Sequence, residues 1–343
     1  MATGPIETHL HRSFNWENGA PGARMGPRGR SASCGNGLFT QCVRLRSEIN
    51  LLIQSQSKAH LCIKNGLLMI NVDDRSSTIP LEDILVVIVE SHQTTMTVAC
   101  MSQLNDAGIG VMICGRDHMP NGLMLPMGAH SRHARIVEDQ LAMSLPFKKQ
   151  LWKRIVQAKI LNQAAVLTEM GLPTDPLPSY AKTVLSGDTD NREGAAASAY
   201  FKALITEGTR RNSMQSSALD YGYSVLRAGI GRAAVGGGWL VSQGLHHHSV
   251  YNAFNLVDDL IEPFRPLVDL IVMSYGVAEP LGQRDKALLA RVFEHVMTID
   301  GKRCGCQQCI ETTLSSLRTA VLEKDPKRLL LPELKGLEMV TVE

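Results

Sequence analysis

The chain reads as an α+β protein: an N-terminal β-sandwich-like domain followed by a larger all-α domain. Two textures and the break between them predict this class. From Ile49 to Pro126, short apolar runs (66-GLLMINV-72, 84-ILVVIV-89, 95-TMTVAC-100, 109-IGVMIC-114) are separated by DD, PLED, NDAG and GRDHMPNG. Apolar runs of this length between turn residues are strands. From Ser131 onward apolar residues recur at three and four, as Leu151, Ile155, Ala158 and Leu161 do, which is the helical period. The texture changes after Gly128.

These observations divide the chain into a flexible N-terminal extension over 1–45, a β-domain over 46–128 and a helical domain over 129–343. The extension is rich in Gly, Pro, Ser and Arg and has no periodicity. The β-domain is expected to hold five to seven strands, with a short helix over 101–108 stopped by Gly108 and a final hairpin around Asn121-Gly122. Helices are expected at about 131–143, 147–170, 194–207, 214–235, 253–275, 285–298 and 308–323. The loop 171-GLPTDPLPSY-180 and the stretch 186-SGDTDNRE-193 are the clearest breaks.

Composition excludes several classes. At 343 residues, with 44% apolar and 20% charged residues, the chain is globular and long enough for two cores. No apolar run reaches the roughly 18 residues of a membrane span, so a soluble protein is expected. Eight cysteines without an apolar leader suit a reducing cytosol. A net charge of +2 does not announce a nucleic-acid binder, so electrostatic arguments must be local. One local excess exists: from Arg132 to Ile160, Arg132, Arg135, Lys148, Lys149, Lys153, Arg154 and Lys159 face only Glu138 and Asp139, a local net of +5. Such a run is either a solvated helix face or a DNA-facing one.

Chemistry concentrates in 244-GLHHHSVYNAFNLVDDLIEPFRP-266. On a helix, Asp258 and Glu262 stand four apart and Asp259 and Glu262 three apart, so either pair can share a face. Carboxylates among so many apolar residues need a compensating charge. It could be Arg265, Arg227 or Arg232, making a salt-bridged core helix, or a divalent ion with His246, His247 or His248 as co-ligand. Pro263 and Pro266 should kink this helix. In 190-DNREGAAASAYF-201, Glu193 in a first helical turn complements the helix dipole; it gains interest only if folding brings it beside His247 and Glu262. The segment 219-LDYGYSVLRAGIGRAAVGGGW-239 carries Arg227 and Arg232, which suit either phosphates or the acidic residues. In 304-CGCQQC-309, Cys304, Cys306 and Cys309 either begin a zinc site, with His295 as a poorly spaced fourth ligand, or are reduced, partly buried thiols.

Taken together, 193-EGAAASAYF-201, 221-YGYSVLRA-228, 246-HHHSVYNAFNLVDDLIEPFRPLVD-269 and 116-RDHMPNGLMLPMGAHSR-132 resemble the CRISPR-associated adaptation integrases of the Cas-one family, particularly the type II form. The resemblance runs from about residue 56 to 320. It implies a metal-dependent DNA endonuclease and integrase of the prokaryotic cytoplasm, in which a 3′-hydroxyl of captured DNA attacks a CRISPR-repeat phosphodiester. It implies a homodimer formed through the β-domain and a complex with the Cas-two protein, double-stranded DNA fragments and repeat DNA, with room for other type II CRISPR proteins. The family's metal ligands fall on Glu193, His247 and Glu262, with Asp258, Asp259 or His246 in support. Two carboxylates and an imidazole suit Mg²⁺ or Mn²⁺. Arg132, Arg135, Lys148, Lys149, Lys153, Arg154, Arg227 and Arg232 become candidate DNA contacts. A repair nuclease using water instead of a 3′-hydroxyl is the alternative. Asp220 stands where the family pattern carries asparagine.

Overall fold

The computed structural model describes residues 49–53, 58–72, 75–126 and 130–340; the expected extension over 1–45 lies outside them. Eight strands occur among the described residues before Leu125, rather than five to seven, and they build two four-stranded sheets. One is β4-β3-β2-β6, from β4 (Arg75–Pro80), β3 (Leu67–Val72), β2 (Ala59–Lys64) and β6 (Thr95–Met96). The other is β1-β5-β7-β8, from β1 (Ile49–Ile53), β5 (Ile84–Val89), β7 (Gly110–Cys114) and β8 (Pro120–Met124). In the second sheet β5 runs parallel to both β1 and β7.

Turn chemistry explains two differences from expectation. The dipeptide that makes a tight hairpin is Asn65-Gly66, with φ of 54° and 72°, which joins β2 to β3 with Lys64 opposite Leu67. Asn121-Gly122 instead lies inside β8, Gly122 opposite Ile113, and the β7–β8 turn is closed by Gly115 N–H donating to Met119 O at 2.8 Å. The run 95-TMTVAC-100 is strand only over Thr95–Met96, and its second half begins helix α1 (Val98–Asp106), because Thr97 Oγ1 accepts from Cys100 N at 3.1 Å and caps it.

The all-apolar β5 is buried on both faces, as continuous hydrophobic strands of parallel pairs are. Val87 and Val89 join a smaller core with Leu61, Leu68, Ile70 and Leu104. Val86 and Ile88 face the other way, into the large helical core. The two halves of the chain therefore share a sheet rather than meeting across a linker.

The helical half contains α2 (His133–Leu141), α3 (Leu145–Glu169), α4 (Leu177–Thr183), α5 (Arg192–Leu204), α6 (Ser216–Gly236), α7 (Asn255–Leu260), α8 (Arg265–Ser274), α9 (Gln283–Ala290) and α10 (Cys306–Glu323). Most match the expected helices. The single helix expected over 253–275 is broken into α7 and α8, since Pro263 and Pro266 lack the N–H groups a continuous helix would need. The released Pro263 carbonyl accepts from Asn162 Nδ2 of α3 at 2.7 Å. The helix expected to reach residue 298 stops at Ala290, and a hairpin of β9 (Val296–Ile299) and β10 (Lys302–Gly305) follows. Asp300-Gly301, with φ of 51° and 71°, is its turn. Helix α4 occupies the end of the segment expected to be loop.

Close packing of α6 on α8 depends on Gly222, where a Cβ would stand 2.5 Å from Val268 Cγ1. A buried carboxylate pins the same contact: Asp269 of α8 accepts from Tyr200 Oη of α5 at 2.8 Å and from Tyr223 Oη of α6. Burial pushes the Asp269 carboxyl up to about 6, against the lowering effect of the two tyrosine hydrogen bonds. A folded-state pKa above the unfolded one means the folded protein holds this proton more tightly, so stability falls as pH rises from about 4 through about 6. Asp269→Asn removes that slope: in urea unfolding, the variant should gain about 2 kcal/mol relative to wild type between pH 4 and pH 7.

Candidate metal and DNA-processing site

Three segments far apart in sequence supply the proposed ligands. On α3, Leu151, Trp152, Ile155, Val156, Ile160 and Gln163 are buried on the core side, and Lys159 lies among them, also buried. Facing it, α5 begins with a fully engaged N-terminus: Asn191, at φ 52°, accepts from Gly194 N at 3.2 Å, while Asp188 accepts from Arg192 N at 2.8 Å and Glu193 N at 3.1 Å. This turn aims Glu193 at Lys159. The break after α7 presents Glu262 to the same point.

Lys159 Nζ lies 2.5 Å from Glu193 Oε1 and 2.5 Å from Glu262 Oε2. The two carboxylate oxygens are therefore no farther apart than the sum of those contacts. Glu262 Oε1 also lies 3.3 Å from Arg265 Nε. Glu262 is 5% exposed; burial opposes its charge, but Lys159 and Arg265 outweigh burial and hold its carboxyl below the ordinary range. Burial likewise opposes charge on Lys159, and the two glutamates reverse that, raising its pKa. The contact to Glu193 is a directed hydrogen bond. Glu262 Oε2 is buried and, among the described residues, has no partner besides the Lys159 ammonium, so lone-pair capacity is left unused.

The three histidines have three different roles. Asp259, fully buried, accepts backbone N–H groups of Leu245 (2.5 Å), His246 (3.0 Å) and His247 (3.1 Å). It also accepts from His247 Nδ1 at 2.7 Å. With the proton held at Nδ1 by that carboxylate, His247 presents Nε2 as a lone pair, and the Asp259 hydrogen bond, outweighing burial, raises its pKa. His246 stacks parallel on Trp152 of α3, with ring centroids 4.3 Å apart, and burial lowers its pKa. His248 is exposed, its Nδ1 2.9 Å from the His246 carbonyl. Gly244 permits the wrap around Asp259: a Cβ there would stand 2.7 Å from Asp259 Oδ2 and collide with the His247 carbonyl. Farther out, Gln140 of α2 fixes the preceding loop through Leu240 O (3.0 Å), Gln243 O (2.7 Å) and Leu240 N (3.0 Å).

The structure thus gathers Glu193 and Glu262 on one cation and sets His247 nearby, close enough for the Glu262 charge to be felt at its ring. Among the described residues, no three His, Cys, Asp or Glu side chains already stand as a ligand cluster, because the glutamates are drawn to Lys159 and His247 to Asp259. Sequence reasoning counted Lys159 only as part of a basic run; its place at the middle of an apolar helix face was the signal. Asp188 and Trp152 were missed as well.

Other expected residues are otherwise engaged. Asp258 is committed to Arg227, which donates through Nε at 2.6 Å and Nη2 at 2.9 Å. This two-pronged pair is completed by Asn252 Nδ2 at 2.7 Å. Arg232 Nε donates to Gly108 O at 2.8 Å, and Arg154 Nη2 to Leu329 O at 3.0 Å, so both tie segments together. Arg135 lies 3.2 Å from Asp139 on an exposed surface. Arg132 and Lys149 are exposed, and Lys148 and Lys153 half-buried; Lys149 lies against Gly187 in the loop leading to Asp188. Asp220 pairs with Arg210.

In the cysteine cluster, Cys304 Sγ and Cys309 Sγ meet at 3.3 Å. Burial drives the Cys306 and Cys309 thiols far above their usual range, which keeps them protonated. His295 is buried, with neither ring nitrogen hydrogen-bonded, and among the described residues no third ligand joins the pair.

Residues 51–283 match the family described as CRISPR associated protein Cas1. The chain is 39% identical over 297 residues to a CRISPR-associated endonuclease Cas1 of Neisseria meningitidis serogroup C (strain 8013), covering 84% of this chain and 97% of that protein. Among solved structures it resembles a casposase bound to integration product, with a TM-score of 0.66, 19% identity and coverage of 80% of this chain and 91% of that one. It also resembles a chain of a Cas6-RT-Cas1–Cas2 complex, with a TM-score of 0.65, 18% identity and coverage of 84% of this chain and 37% of that one. At these identities the structural likenesses speak for the α+β fold. The family match and the near full-length identity go further: the chain belongs to the CRISPR-associated Cas1 (Cas-one) family, the endonuclease/integrase enzymes of spacer acquisition.

Proposed function

We propose that the chain inserts double-stranded DNA fragments into a CRISPR array, a 3′-hydroxyl of the fragment attacking a repeat phosphodiester, with Glu193, His247 and Glu262 as the ligands of a Mg²⁺ or Mn²⁺ ion. One observation carries this reading: carboxylates from α5 and from the α7–α8 break converge on a single cation, Lys159. The donor set fits a divalent ion. Glu262 Oε2 is buried with the Lys159 ammonium as its one partner among the described residues, and Asp259 orients His247 in the manner of a carboxylate that supports a metal-bound imidazole. Oxygen ligands suit Mg²⁺, and the nitrogen favours Mn²⁺. Such an ion, when bound, supplies Lewis-acid polarisation of the phosphoryl oxygen and a more acidic attacking hydroxyl.

The chain's own groups supply the rest. Asp259 holds His247 in one tautomer, and the Trp152–His246 stack walls that imidazole. Asp188 and Asn191 hold the first turn of α5, so Glu193 reaches the site without rearrangement. Arg132, Lys148, Lys149 and Lys153 remain the candidates for phosphate contacts, which position DNA without reading its sequence. Arg154, Arg227 and Arg232 are better read as structural ties. We place the division between the β-domain over 46–128 and the catalytic domain over 129–343 at the end of the shared sheet, with the β-domain as the homodimer surface. The likeness to a chain of a Cas1–Cas2 complex supports a Cas2 partner; other type II CRISPR proteins remain partners by analogy alone. No helix among the described residues is long and apolar enough to cross a membrane, in keeping with action in a prokaryotic cytoplasm.

Glu193→Ala, His247→Ala and Glu262→Ala should each lower strand joining at least 100-fold, on the order of a lost metal ligand, while circular dichroism stays native. The assay uses a supercoiled repeat target, a fragment with free 3′-hydroxyls and the Cas2 partner; cleavage without joined product would favour the repair-nuclease alternative. Asp259→Asn should weaken Mn²⁺ binding by about 10–100-fold, measured by calorimetry. Lys149→Ala with Lys153→Ala should flatten the salt dependence of DNA binding by roughly one to two counterions, read from the slope of log affinity against log salt.

A further inference from the structure

Lys159 is a fixed positive charge at the point where the proposed ligands Glu193 and Glu262 meet, with contacts of 2.5 Å to each. Arg265 adds a second cation at 3.3 Å from Glu262. Lys159 is thus a charge partner of both carboxylates and Arg265 a second partner of Glu262, so each proposed carboxylate ligand already has a cation within the protein itself. A divalent ion placed on the same two carboxylates while the ammonium keeps its 2.5 Å contacts would set like charges against one another, and the burial of Lys159 and Glu262 strengthens that repulsion. An incoming phosphodiester supplies negative charge and gives a displaced ammonium a partner. Lysine suits such an exchange: its charge is compact and sits on a flexible four-carbon stem, so the ammonium can swing aside while α3 stays packed.

We propose that Lys159 is the built-in counter-ion of this site, competing with the divalent metal for Glu193 and Glu262, and that DNA phosphate releases it, so that metal and DNA bind cooperatively. The proposal rests on the ligand assignment made above. It makes Lys159 a positioning residue that holds the two carboxylates adjacent in the free protein. It also makes the coupling reciprocal: the factor by which DNA tightens metal binding equals that by which metal tightens DNA binding.

The test is a Mn²⁺ titration of the full chain, by calorimetry and by the electron paramagnetic resonance signal of free Mn²⁺. It is run with and without a duplex whose 3′-deoxy ends prevent joining. For wild type, the duplex should lower the Mn²⁺ Kd at least tenfold. Lys159→Gln should bind Mn²⁺ at least tenfold more tightly than wild type in the absence of DNA, show a smaller gain on adding duplex, and melt at lower temperature without Mn²⁺ than with it. Lys159→Arg, which keeps the charge in a fork that grips carboxylates more firmly, guards against a Gln variant that fails to fold; it should bind Mn²⁺ more weakly than wild type without DNA. A Lys159→Gln Kd equal to or above the wild-type value overturns the proposal, as does a Lys159→Arg Kd equal to or below it. Glu262→Ala separates the two levels. If it binds Mn²⁺ as wild type does, the ligand assignment itself is wrong; if it loses the ion while Lys159→Gln matches wild type, only the counter-ion role fails.

Discussion

A carboxylate held inside a protein must be met by cations or hydrogen-bond donors. Glu262, 5% exposed at the break between α7 and α8, is met by Lys159 from α3 and by Arg265 from the start of α8. Much of the helical half is arranged around that requirement. The long α3 must run past the break to deliver Lys159, and the same helix delivers Asn162 to the Pro263 carbonyl that the break exposes. One turn away from Lys159, Ile155 and Gln163 are buried, so the lysine cannot leave the interior with its backbone; only its side chain can move. Glu193 then shares the same ammonium, which ties α5 to the group.

A second buried carboxylate organises the loop beside it. Asp259 gathers three consecutive backbone N–H groups and one imidazole, and a carboxylate with so many donors fixes each donor's direction. This is why three adjacent histidines come to differ: one is stacked on Trp152, one is oriented by Asp259 and one faces solvent. A third, Asp269, is met by two tyrosine hydroxyls, and burial raises its proton affinity despite them and the charges of Arg210 and Arg265. The three acids lie within about a dozen residues of chain, yet each is handled by a different chemistry because the break between α7 and α8 sends them in different directions.

The β half supports this arrangement through the sheet it shares. With Val87 and Val89 in one core and Val86 and Ile88 in the other, strand β5 couples the sandwich to α6 and its neighbours. The buried Lys286–Glu90 pair joins α9 to the end of the same strand. Small residues complete the fit, as Gly222 does against Val268 and Gly244 against the Asp259 carboxylate.

Local sequence was enough for the class of the fold and for most helices, and it named the residues proposed here as ligands. Periodicity and turn residues are local properties, and Glu193, His247 and Glu262 stand in motifs whose order is visible in one dimension. The hairpins at Asn65-Gly66 and Asp300-Gly301 are absent from the sequence reading, which places one at Asn121-Gly122 instead; the same dipeptide can sit inside a strand when a longer turn precedes it. What local sequence could not decide was the pairing of charge with charge. Asp258 and Asp259 are neighbours with equal claims to the site, and only packing turns one to Arg227 and the other to His247. Lys159 looked like one more member of a basic run. Its partners lie 34 and 103 positions away, and electrostatic partnership depends on distance in space, which the chain acquires only when α3, α5 and the α7–α8 break come together.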